Sequence, residues 1–172
     1  MKKSFCYICG VIFELLLIIS CDNNSNEEKI CVLQSKIQAY GIQQTRSTEN
    51  NRDSLVFSGD NIEWFNPKTR EIKFKGIEPN TTIFPVYSKI EFRNDGKRLF
   101  TVSSFVTGTY SQIFYDLVIY YDSEQRKYYL EDCYPDIYDV RNHEEVKQNI
   151  IKREGEWREF LNTLSLENRI KN

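Results

Sequence analysis

The run Lys89-Ile90-Glu91-Phe92-Arg93-Asn94-Asp95-Gly96 constrains this chain more than any other. Apolar and polar residues alternate over its first six positions. Successive strand side chains point to opposite faces, so Ile90 and Phe92 share one side of a strand. Asp95-Gly96 supplies the two positive φ angles of a type I′ turn, whose twist suits a tight hairpin. The chain must then return antiparallel, and residues 97–106 form the second strand. Glu71-Ile72-Lys73-Phe74-Lys75 alternates in the same way. Residues 113–121 are apolar on both faces and predict a central strand. Residues 122–126 turn the chain, residues 127–133 pair back, and Pro135 ends that strand. Tyr and Phe, eleven of each, favour such half-buried pleated surfaces.

Helical signals flank the strands. Ile30, Leu33, Ile37 and Tyr40 recur at helical spacing and predict a short helix over 29–40. The polar residues 43–54 read as a loop. Asp60-Asn61-Ile62-Glu63 fits a capping box and predicts a helical turn to Phe65, stopped at Asn66-Pro67. Asn142-His143-Glu144-Glu145 starts a longer helix, with Asn142 as its cap. Val146, Ile150, Trp157, Phe160, Leu161 and Leu164 mark one face of it. Gly155 weakens its middle by about 1 kcal/mol relative to alanine. Strands in series followed by a helix predict an α+β fold. The expected form is an antiparallel sheet of about four to six strands with a long C-terminal helix packed on one face. Cystatin-like folds resemble that outline, an analogy of form alone.

The first twenty residues follow a different rule. Lys2 and Lys3 precede an apolar stretch at 5–19. Its length, about 15 residues, matches a signal peptide core and falls short of the roughly 20 that span a bilayer. Glu14 at the centre of a spanning helix would cost about 2.5–3.5 kcal/mol. The stretch ends Leu17-Ile18-Ile19-Ser20-Cys21, which resembles the lipobox of bacterial lipoproteins. That resemblance implies cleavage before Cys21 and acylation of Cys21, palmitate included. The protein would then be lipid-anchored in the cell envelope, at the outer membrane, facing the periplasm or the surface. Each buried CH2 contributes about 0.8 kcal/mol, so three chains hold where one does not. Residues 21–28 are polar and free of aromatics, which suits a solvated tether. Residues 29–172 remain for a single domain, a size that sustains one hydrophobic core. The run Ser58-Gly59-Asp60-Asn61-Ile62-Glu63-Trp64-Phe65-Asn66-Pro67-Lys68-Thr69-Arg70-Glu71-Ile72-Lys73-Phe74 resembles a segment of small lipoproteins of Bacteroidetes-type bacteria. It implies a location and no chemistry.

Five cysteines divide by this reading. Cys6 and Cys9 leave with the signal and Cys21 takes lipid. Cys31 and Cys133 remain, an even pair in an oxidising compartment. A bridge between them would close a loop of about 100 residues, worth about 4.7 kcal/mol on the chain-entropy model. Two separate buried thiols fit the same residues. The net charge of −2, with mixed signs, argues against nucleic acid and against a polybasic membrane patch.

Chemical motifs are sparse. The one histidine, His143, falls at a helix start, where the dipole disfavours an imidazolium. Zinc needs more Cys and His than the mature chain offers. There is no phosphate loop, dinucleotide fingerprint or nucleophile elbow. No catalytic residue and no cofactor is therefore expected. The acidic stretch at 131–139 places Asp132, Asp136 and Asp139 where a calcium ion could draw on them, although the glycine of an EF-hand is missing. Solvated acids at a strand end and helix start are the favoured reading of the same residues. Tyr120, Tyr121, Tyr128 and Tyr129, with Tyr134 and Tyr138, gather around one hairpin and its exit. Tyrosine anchors binding surfaces through an apolar face and a polar tip, and it also packs cores. Asp53-Ser54-Leu55 resembles an O-glycosylation motif of Bacteroidetes envelope proteins, with Ser54 the acceptor. Asn80-Thr81-Thr82 is a sequon. The expected function is a membrane-anchored envelope lipoprotein that binds an envelope protein or glycan. A carboxylate-dependent envelope hydrolase and a protease inhibitor or immunity-type protein are the alternatives.

Overall fold

The expected hairpin organises the first of two sheets. In the computed structural model, which describes residues 34–42, 54–77, 87 and 89–172, strands β5 (Lys89–Asn94) and β6 (Lys97–Val102) pair antiparallel. Asp95 and Gly96 turn between them with φ of 50° and 78°, the double positive that a type I′ turn requires. Phe92 and Phe100 face each other and their rings stack at 4.9 Å. Strands β1 (Ile37–Ile42) and β2 (Ser54–Ser58) complete this sheet in the order β2-β1-β5-β6.

The second sheet has the order β3-β4-β9-β8-β7. It contains β3 (Ile62–Phe65), β4 (Glu71–Phe74), β7 (Ser104–Thr107), β8 (Val118–Asp122) and β9 (Lys127–Glu131). Its pairs are antiparallel except β7 with β8, which run parallel. The fold is thus α+β, with two sheets of four and five strands among the described residues. The strand expected over 97–106 is divided at Ser103, whose N–H donates to the Leu117 carbonyl at 2.7 Å. Phe100 and Val102 bury in the main core, whereas Val106 buries with Val118 and Tyr134. One straight strand cannot serve both clusters, so the chain changes sheets there. Residues 113–117 stay outside the strand expected to begin at 113.

Three further expectations are corrected. Over the described part of the helix expected at 29–40, residues 34–40, strand β1 stands in its place from Ile37. Ile37, Ala39 and Gly41 are buried and alternate with half-buried neighbours. Pairing on both sides, to β2 and β5, satisfies that backbone and overrides a helical spacing that Ile37 and Tyr40 fitted by coincidence. The capping box lies two residues earlier than expected. Ser58 and Asn61 form it around a 3-10 turn at Gly59–Asn61, and residues 62–65 are strand. Asp60 instead accepts from the backbone N–H of Ser35 at 3.1 Å and pairs with Arg169 at 3.0 Å.

The expected C-terminal helix is interrupted. Helix α1 (Tyr138–Arg141) precedes α2 (Glu144–Lys152) and α3 (Glu154–Leu166), and Arg153 separates the last two. His143, not Asn142, caps α2: its ring nitrogen Nδ1 accepts from the Glu145 N–H at 3.3 Å. Gly155 falls in the first turn of α3, where its cost is smaller than in mid-helix. Phe160 of α3 is fully buried and touches Phe65, Phe92 and Phe100 at ring separations of 5.7, 5.9 and 5.3 Å.

Beyond α3, the Phe65 N–H donates to the Arg169 carbonyl at 2.8 Å, and the Lys171 N–H to the Phe65 carbonyl at 2.9 Å. This short parallel bridge covers the β3 edge, a sheet feature that otherwise invites pairing with other chains. All described residues belong to one unit, Leu33–Asn172. The expected signal segment, Cys21, the expected tether, Cys31, residues 43–53 and the sequon at Asn80 lie outside the described residues. No helix among the described residues is long and apolar enough to cross a membrane.

Candidate functional site

The β8–β9 register decides what the tyrosines do. Tyr120 pairs with Tyr129 and Tyr121 with Tyr128. Neighbouring strand residues point to opposite faces, so each adjacent pair must split. Tyr121 and Tyr128 are 7% and 4% exposed and belong to the main core. Their rings lie 5.0 Å apart, and Tyr128 packs edge-on to Phe74 at 5.4 Å. These two are corrected from candidate surface to core. Tyr120 and Tyr129 occupy the outer face, half-buried and stacked at 6.1 Å.

Tyr134 extends that pair into a row of three, 6.0 Å from Tyr120. An isolated antiparallel bridge to Phe114 fixes its backbone, with N–H to carbonyl distances of 2.8 and 2.9 Å. Its hydroxyl donates to the Thr107 carbonyl at 2.8 Å, which locks the ring. Tyr138 is 81% exposed and outside the row. A cleft of about 410 Å³ opens beside the row, lined also by Glu131, Cys133 and Asp136.

Glu131 ends β9 two residues after Tyr129, hence on the same face. Its carboxyl has no hydrogen bond or ion pair among the described residues. Burial pushes its pKa up to about 7, and Asp136 and Asp132 add to the rise. Arg70 and Arg141 only partly oppose it. Among the described residues the buried Cys133 has no disulfide partner, and burial pushes its thiol up to about 11. It is therefore protonated at neutral pH and a poor nucleophile. Cys31, its expected partner, lies outside the described residues.

The three aspartates offered as calcium candidates are engaged or exposed elsewhere. Asp132 pairs with both Arg70 and Arg153, the latter at 2.6 Å. Asp136 forms a bidentate pair with Arg141. Asp139 sits exposed in the first turn of α1. Among the described residues no three His, Cys, Asp or Glu come together to hold a metal. Ser54 opens β2 opposite Gly41 and is half-buried. His143 is held by its cap and by stacking on Tyr115 at 4.2 Å.

One buried group escaped the sequence patterns. Arg153 is 9% exposed and bridges Asp132 to Asp116, the latter at 2.8 Å. Arg70 joins through Asp132 and lies 4.2 Å over the Trp157 ring, and burial lowers its pKa. The signal was available: Arg153 falls between Ile150 and Trp157 at helical spacing, squarely on the apolar stripe.

No family model matches this chain, and no curated protein or solved structure matches it either. The tyrosine row and its cleft must be read from their own chemistry.

Proposed function

We propose that this chain is a membrane-anchored lipoprotein of the cell envelope, held through acylated Cys21, whose domain binds a partner on the outer face of its second sheet. The half-buried pair Tyr120 and Tyr129, backed by the buried Tyr134 against Tyr120 and set beside the unpaired Glu131, is the observation that carries the binding reading. Tyrosines held in this way present large amphipathic area at little entropic cost. Helix α3 serves as the cover of the opposite, inner side, a reading supported by the contacts of Phe160. The envelope address rests on the lipobox-like end of the N-terminal segment. Intact mass of detergent-extracted protein tests it: residues 21–172 plus three acyl chains is expected. An unlipidated mass, or one retaining residues 1–20, sinks the anchor.

Capture from envelope extracts tests the binding surface. Full-length protein should retain a saturable partner that Tyr129→Ala loses, while the melting temperature holds. Equal capture by both would dismiss the surface.

The pKa of Glu131 near neutrality, in one cleft with Asp136, favours a second reading as a carboxylate-dependent envelope hydrolase. A general acid poised near working pH is what such chemistry needs. Glu131→Gln should then abolish turnover of envelope glycans, and unchanged turnover would exclude it.

A further inference from the structure

We propose that the cleft beside Tyr120 and Tyr129 receives a cationic side chain, a lysine ammonium or arginine guanidinium, from a basic segment of a partner protein. This deepens the binding reading above and rests on it. Charge complementarity carries it. Among the described residues the cleft is lined by Asp122, Glu131 and Asp136, and by no Lys, Arg or His. Two of these acids are already satisfied. Asp136 pairs with Arg141, and Asp122 accepts from the backbone N–H groups of Glu124 and Gln125 at 2.9 and 3.0 Å. Glu131 is the one left without a hydrogen bond or ion pair among the described residues. A partly buried carboxylate in that state is unstable until a cation replaces the water it has lost.

The tyrosines suit the same occupant. A cation over an aromatic face is attracted by the ring quadrupole, and more strongly where water is excluded. An anion would be repelled, and an apolar group would leave Glu131 unsatisfied.

Protonation ties occupancy to pH. Asp136 and Asp132 press on the Glu131 carboxyl from one side, and Arg70 and Arg141 draw it the other way. Tyr129 and Cys133 stand alongside, both raised and therefore uncharged near neutral pH. Glu131 thus sits near half-ionisation at about pH 7. A cation binds the ionised form, so binding releases a proton and tightens with pH. From pH 6 to pH 8 the ionised fraction rises from about one tenth to about nine tenths, and the apparent Kd falls about tenfold.

Calorimetric titration of the full-length protein, in non-ionic detergent, tests this with an acetylated and amidated Gly-Gly-Lys-Gly-Gly peptide. Its norleucine analogue and methyl glucoside serve as uncharged controls. The lysine peptide should bind at pH 8 and bind about tenfold more weakly at pH 6. Glu131→Gln should weaken binding at pH 8 at least to the pH 6 level and remove the pH dependence. The controls should not bind. Overturning results are equal affinity at both pH values, indifference to Glu131→Gln, preference for the glucoside, or no lysine-peptide binding at millimolar concentration by protein that melts normally. Capture from envelope extracts separates the two readings. Loss with Tyr129→Ala but not with Glu131→Gln would end the cationic proposal and leave the binding surface standing. Loss with neither would end both.

Discussion

Gly59 shows how much one missing methyl can decide. A Cβ there would lie 1.9 Å from Ser35 Oγ and 2.9 Å from Ile37 Cβ. Ser35 cannot retreat, because its hydroxyl is held by Glu167 at 2.7 Å. Gly59→Ala should therefore destabilise by about 1–3 kcal/mol through overpacking, read by urea unfolding. Glu131 sets the pH response. Its folded pKa of about 7 stands above the ordinary 4.5, so the folded state binds more protons than the unfolded state between those values. Stability falls as pH rises through that window, and the contribution is gone above about pH 7. Glu131→Gln should flatten unfolding free energy against pH and exceed the parent's stability at pH 8, where an unchanged slope would refute the assignment. The tyrosines carry a lesson at the same level. Period-two alternation alone implies that Tyr120-Tyr121 and Tyr128-Tyr129 must split between faces. Which half faces out depends on the core that forms beneath, and that cannot be read from the pair itself.

Among the elements, those defined by local chemistry are readable and those defined by distant partners are not. The β5–β6 hairpin follows from alternation and Asp95-Gly96, and β4 from alternation alone. Strand β1 is different: Ile37 and Tyr40 lie three apart, the spacing of a helix face, yet fall on opposite faces of the strand that pairing to β2 and β5 imposes. The switch at Ser103 likewise depends on the parallel partner β8. Arg153 governs the break between α2 and α3 by reaching Asp116 and Asp132. Removing one partner of a fully buried pair costs about 3–5 kcal/mol. Asp116 and Asp132 are 41% and 33% exposed, so water softens the loss. Arg153→Ala should cost about 2 kcal/mol, near the value of hydrogen bonds to charged groups. A change below about 0.5 kcal/mol, the range of ordinary surface substitutions, would show that the network is incidental.

For the molecule as a whole, Phe160 and Trp157 of α3 each touch both sheets, and Phe160 is the more deeply buried. It meets Phe92 and Phe100 from one sheet and Phe65 from the other. Phe160→Ala should cost about 3–5 kcal/mol. In the parent, tryptophan fluorescence and far-ultraviolet dichroism should report one coincident unfolding transition. Two separated transitions would mean that the sheets fold independently.

The fastening of Ser35 has a mechanical side. Load reaching Ser35 along the chain from an anchored Cys21 would meet the grip of Glu167 and Asp60. The next element, β1, is laddered to β2 on one side and to β5 on the other. A pull along its axis would have to shear both ladders together and could not peel one bond at a time. As an interior strand, β1 would pass such a load to two neighbours at once.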